Sequence, residues 1–127
     1  MTGVLAVARD AYGRRDWMGA WDNYQAACAA RELPADDVFA LSDVAWWLGL
    51  MDESIAAADE AYRRYLHGDR PRQAAMAAIG IAVTSFLRGD EVIGSGWMSR
   101  AQRVLRDVPE SPEHGYVRYL LEVESGL

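Results

Sequence analysis

Few residues of this chain are of types that carry out chemistry, and their spacing does not assemble them. His67 and His114 lie far apart, and neither falls in a metal-binding pattern such as H-E-x-x-H. His67 reads as a last-turn residue that favours the helix dipole, and His114 as a first-turn residue. Cys28 has no base beside it in the sequence, and on a stripe with Trp17, Trp21 and Tyr24 it reads as a small core residue. Two acidic pairs, Asp36-Asp37 and Asp52-Glu53, invite an acid/base role. Each pair opens a helix, however, where carboxylates belong because they face unpaired backbone N–H groups. Four arginines, Arg63, Arg64, Arg70 and Arg72, form a basic cluster that would suit an anion or an acidic partner. The other reading of that cluster is a solvated face paired with Asp59, Glu60 and Asp69. No nucleophile, base and orienting group occur together, so the expectation is a protein with no catalytic residues, metal or cofactor.

Helices account for the rest of the pattern. Around Trp46-Trp47, apolar residues recur at helical spacing before a corner (Val38, Leu41, Ala45, Leu48) and after it (Met51, Ile55, Ala58, Ala61). Gly49 supplies the left-handed residue that ends the first of these helices. An earlier hairpin has Val4, Val7, Ala8 and Ala11 on one face, a Gly13–Asp16 corner, and then Trp17, Ala20, Trp21, Tyr24 and Ala27. A later one has Ala74, Ala78, Ile81, Ala82 and Ser85, a corner at Gly89-Asp90-Glu91, and then Ile93, Trp97, Ala101, Val104 and Leu105. Between the second and third hairpins, Gly68 reads as the helix-ending residue, Asp69 as an N-cap and Pro71 as a first-turn residue. Ser111 and Pro112 then open a last helix with Tyr116, Leu120 and Val123 on one face.

The hairpins repeat. Ala20, Tyr24 and Ala27 correspond to Ser54, Ala58 and Ala61 at an offset of 34, and the third unit places Gly94, Met98 and Ala101 there after an insertion of six. Small residues at the first and third of these positions allow close approach of two helices. The expected fold is therefore all-α, an α-α superhelix of about three hairpins plus a C-terminal capping helix, about seven helices in one domain. The repeats fall at about 3–33, 35–68 and 70–108, and the cap at about 112–125.

The small residues at fixed places, with the Leu48-Gly49 and Arg88-Gly89-Asp90 corners, resemble tetratricopeptide repeats. More narrowly, Ala45-Trp-Trp-Leu-Gly49 with Asp52-Glu53, then Ala61-Tyr62, Gly68-Asp69-Arg70 and Glu113-His114-Gly115, is similar to the tetratricopeptide segment of actinobacterial LuxR-type transcriptional regulators. The chain departs from those regulators in having no phosphate-binding G-x-x-x-x-G-K-[ST] loop and no arginine- or lysine-rich recognition helix. The resemblance implies that the first helix of each unit lines a concave groove. That puts Arg9 and Tyr12, then Phe39, Asp43, Trp46 and Trp47, then Met76, Ile79, Val83 and Phe86 on the groove. There they would either bury a partner's apolar segment, with Arg9 and Asp43 fixing its orientation, or fill the core between repeats.

Charge and hydropathy narrow the partners. A net charge of −6, from 13 basic against 19 acidic residues, opposes direct nucleic-acid binding. No run is long and apolar enough for a membrane span, the N-terminus lacks a signal-peptide pattern, and a single cysteine suits a reducing compartment, so a cytoplasmic location is expected. The expected function is a non-catalytic protein-interaction module that takes a protein or peptide partner or a second copy of itself. The alternative is a small-molecule sensing domain of a regulator-like protein.

Overall fold

The computed structural model describes residues 3–124, with side chains through residue 122. The described residues form seven helices and no strand: α1 (Val4–Gly13), α2 (Trp17–Ala30), α3 (Ala35–Trp47), α4 (Met51–His67), α5 (Pro71–Leu87), α6 (Glu91–Leu105) and α7 (Pro112–Glu124). This is the all-α arrangement the periodicity calls for. None of these helices is long and apolar enough to cross a membrane.

Four of the helix ends are built alike. After α1, the amide of Arg15 donates to the Tyr12 carbonyl and that of Asp16 to the Ala11 carbonyl. Gly49 and Leu50 repeat this pair of bonds onto Trp46 and Ala45, Asp69 and Arg70 onto Leu66 and Tyr65, and Gly89 and Asp90 onto Phe86 and Ser85. This double bond to the last turn is the Schellman arrangement, and it requires a left-handed residue just past the helix. Gly49 and Gly89 take that conformation freely, at φ 78° and 82°, whereas Arg15 and Asp69 are forced into it at φ 60° and 55°. The left-handed residue after α4 is thus Asp69 and not Gly68. Asp69 is accordingly no N-cap: that position before α5 belongs to Arg70, whose side chain makes no capping bond.

The chain divides into two compact units, one ending at Ala61 and the other beginning at Tyr62. In the first, α1 packs on α2 and α2 on α3. Leu5, Ala8 and Ala11 are buried, while Val4 and Val7, expected on the same face, are exposed. One residue is 100° of helix, so Ala8 and Ala11 serve either stripe; α2 takes the side that Leu5 shares. Cys28 is exposed and not in the core, because Ala20, Tyr24 and Ala27 already define the buried face of α2.

In the second unit α5, α6 and α7 enclose a core of Ala75, Ala78, Ile79, Ala82, Met98, Ala101, Leu105 and Val117. Met98 is buried and Ile93 exposed, again a shift of face from the expected stripe. The last helix buries Val117 and leaves Tyr116 exposed, with Leu120 and Leu121 partly buried against the same core. The side chain of Val123, expected on that face, lies outside the described residues. His114 does more than occupy a first turn: its Nδ1 accepts the Ser111 amide at 3.1 Å, which leaves the proton on Nε2 to reach the Leu105 carbonyl at 3.1 Å. It thereby ties the start of α7 to the end of α6.

All nine residues related by the repeat offset are buried: Ala20, Tyr24 and Ala27; Ser54, Ala58 and Ala61; Gly94, Met98 and Ala101. The smallness at the first position has a visible cause in two hairpins. Ser54 Oγ donates to the Ser42 carbonyl at 2.8 Å, and a Cβ on Gly94 would meet the Phe86 ring at 2.6 Å.

Candidate binding cleft

Polar contacts between α1 and α3 are few and specific. The Arg9 guanidinium grips Asp37 with two bonds, Nε to Oδ1 at 2.9 Å and Nη2 to Oδ2 at 2.7 Å, and the Tyr24 hydroxyl reaches Oδ1 at 3.4 Å. One carboxylate therefore joins α1, α2 and α3. Asp37 does sit in the first turn of α3, but its side chain is 6% exposed and serves this junction. Asp37 raises the Arg9 pKa, and burial, with Asp37 beside it, pushes the Tyr24 phenol up to about 12. Arg9 is held here by its own chain.

One helical turn further along, Tyr12 of α1 donates to Asp43 Oδ2 of α3 at 2.7 Å. Burial first, then this bond and the Asp43 charge, raise the Tyr12 pKa well above the ordinary phenol range. The other carboxylate oxygen of Asp43 takes no hydrogen bond from any described residue. Trp17 lies beside Tyr12, their centroids 6.0 Å apart and the rings tilted by 60°. The Trp17 ring is stacked on Trp47 at 5.7 Å with 6° between planes, and Trp46 meets Trp47 edge-on at 5.1 Å. Tyr12, Gly13, Arg15, Trp17, Asp43 and Trp47 line a cleft of about 600 Å³ that opens to solvent. Trp47 is 55% exposed, an uncommon condition for so large an apolar side chain.

Local sequence explains the convergence. The Schellman corner brings the chain from Tyr12 around to Trp17 within five residues, and Asp16 caps α2 by accepting the Gly19 amide at 3.0 Å. The corresponding corner at Gly49 closes α3 directly after Trp46 and Trp47. Both aromatic groups are thus fixed at helix ends.

The ten residues expected on a groove fall into two groups. Tyr12, Asp43 and Trp47 line the cleft with Trp46 adjoining, Arg9 is on Asp37, and the Phe39 carbonyl accepts the Ser42 hydroxyl at 2.8 Å. Met76, Ile79, Val83 and Phe86 belong to the second unit, with Ile79 in its core and the others packed against that core. Trp17, Gly13 and Arg15 were not foreseen as cleft residues. The periodicity of α2 puts Trp17 on its buried stripe, although a position directly after a corner is where a side chain reaches back over the preceding helix.

The basic cluster is likewise engaged. Arg72 pairs with Glu113 at 3.1 Å, Arg70 lies over the Tyr65 ring at 4.9 Å, and Arg63 and Arg64 also have partners. Among the described residues no three histidine, cysteine or acidic side chains gather as a metal site would require. Comparison with protein families, with curated proteins and with solved structures finds no match for the chain.

Proposed function

We propose that the chain is a non-catalytic interaction module whose binding site is the cleft between α1 and α3. The observation that carries this reading is Trp47, more than half exposed yet stacked on Trp17 and met edge-on by Trp46. A large, preorganised aromatic face is what a binding hot spot requires, because little conformational entropy is left to lose on association. The cleft is open and not enclosed, which favours a partner's protruding segment over a small effector sealed from water. The resemblance to tetratricopeptide repeats supports the same class of function, since such hairpins present side chains of their first helices to partners. Affinity capture with Trp47→Ala beside the unaltered chain tests this, with quantitative recovery of whichever proteins associate. The expected result is a loss of partner recovery corresponding to about 2 kcal/mol or more, with the far-UV spectrum unchanged. Equal recovery by both chains would remove the cleft from consideration.

A further inference from the structure

We propose that the cleft receives an arginine side chain of a partner segment, its guanidinium lying on the Trp17–Trp47 stack and bonded to the open oxygen of Asp43. This rests on the interaction-module reading and names what the module recognises. Three observations converge on a planar cation. The first is Asp43 itself: it lines the cleft, one of its oxygens holds Tyr12, and the other takes no hydrogen bond from any described residue. A carboxylate oxygen left open beside aromatic faces accepts a charge-assisted bond from a guanidinium, whose flat surface suits ring stacking.

The second is the distribution of charge. The unit ending at Ala61 contains four arginines against eleven carboxylates, a net of −7, whereas the unit beginning at Tyr62 has nine arginines against eight carboxylates, a net of +1. The net negative charge of the chain thus resides in the unit that holds the cleft. Such a field draws a basic segment toward it and fades as salt rises. Arg15 also lines the cleft, with no ion pair among the described residues, so an acidic residue flanking the partner's arginine would find a counter-charge there.

The third is a pairing the chain already makes within itself. In the second unit Arg100 lies over Trp97 at 4.3 Å and Arg70 over Tyr65 at 4.9 Å. Trp17 and Trp47 carry no such cation among the described residues. The aromatic pair that lacks a cation is the one beside an open carboxylate.

The test titrates the full chain, its indole groups labelled with ¹⁵N, with a capped peptide that holds one arginine between two leucines. A twin peptide carries citrulline, which keeps the shape and removes the charge. The expected result is movement of the Trp17 and Trp47 indole signals, with the citrulline twin binding at least tenfold more weakly. Asp43→Asn, which leaves an acceptor for Tyr12, should abolish that discrimination, while Asp10→Asn, at an exposed carboxylate paired with Arg14, should preserve it. Equal binding of the two peptides at Trp47 would overturn the arginine assignment and leave the interaction module standing. Movement of Trp97 alone, or no movement at millimolar peptide, would also overturn it, whereas partner capture judges the module separately. Concentration-dependent movement of Trp47 without peptide would make the occupant a second copy and overturn the proposal as well.

Discussion

Trp97 and Trp47 are chemically identical and differently treated. In the α5–α7 unit, Trp97 meets Tyr62 edge-on at 5.2 Å and is covered by Arg100, so its ring faces are used by the chain. In the α1–α3 unit, Trp47 stacks on Trp17 and remains more than half exposed beside an open carboxylate. The contrast extends to what holds each unit together. The later unit relies on a small-residue apolar core, with Gly94 admitting the Phe86 ring, and the earlier one adds a buried ionic junction at Asp37. Apolar packing does not hang on any one polar partner, whereas a junction made of one carboxylate, one guanidinium and one phenol depends on each member. The first unit is thus the one with both an open site and a polar framework behind it.

The strongest way to break this contrast is to attack both frameworks. Asp37→Ala should destabilise the first unit by on the order of 2 kcal/mol, since it strands a buried phenol, and a urea melt followed by Trp fluorescence would register it. Because Arg9 is half exposed and can turn to water, the ion pair itself contributes only a part of that loss. Gly94→Ala should cost the second unit about 1–3 kcal/mol through its contact with the Phe86 ring. Adding Phe86→Leu should recover much of that cost if the ring is the obstacle. A double variant no better than Gly94→Ala alone would point to backbone strain in α6.

Alkaline titration probes the first unit, where burial and a neighbouring carboxylate raise the pKa of both Tyr12 and Tyr24. Each stays protonated in the folded chain at a pH where the unfolded chain has ionised. Their contribution is therefore complete below the ordinary pKa of 10.0 and is lost as pH rises toward about 12 for Tyr24. Absorbance at 295 nm should show these two ionising late, with loss of structure, and Tyr24→Phe should flatten the decline in stability over that window.

The smallest effects concern the corners, of which each stretch holds one glycine and one strained residue. Arg15→Gly and Asp69→Gly should each stabilise by up to about 1 kcal/mol, because the left-handed conformation costs an ordinary residue about that much. Gly49→Ala and Gly89→Ala should cost a similar amount. Thermal melts of the four variants would check both signs.

Much of this architecture could be read in advance, for reasons that differ by residue. Gly49 and Gly89 announced their corners because glycine is the cheapest left-handed residue, whereas the corner expected from Gly68 and Pro71 has its left-handed residue one position later, at Asp69. The repeat offset picked out nine positions that are all buried, since helices of one hairpin meet at fixed intervals. Faces were less legible. Val4, Val7, Ile93 and Cys28 lie outside the core and Leu5 within it, because residues one position apart on a helix offer two adjacent stripes. At the cleft, Tyr12, Asp43, Trp46 and Trp47 were singled out by type, but Trp17 was assigned to the core and Asp37 to a helix cap.

Sequence by itself determined the succession of helices, the corners at Gly49 and Gly89, and which positions must be small. These follow from local rules of capping, left-handed residues and close packing that act within a few residues. Tertiary structure alone decided that Asp37 would bind Arg9, 28 positions earlier, and that Asp43 would bind Tyr12, 31 positions earlier. It alone placed Trp17 flat against Trp47. Such pairings join helix faces whose rotation is set by packing, and a rotation of one residue would have turned either carboxylate or either indole toward water.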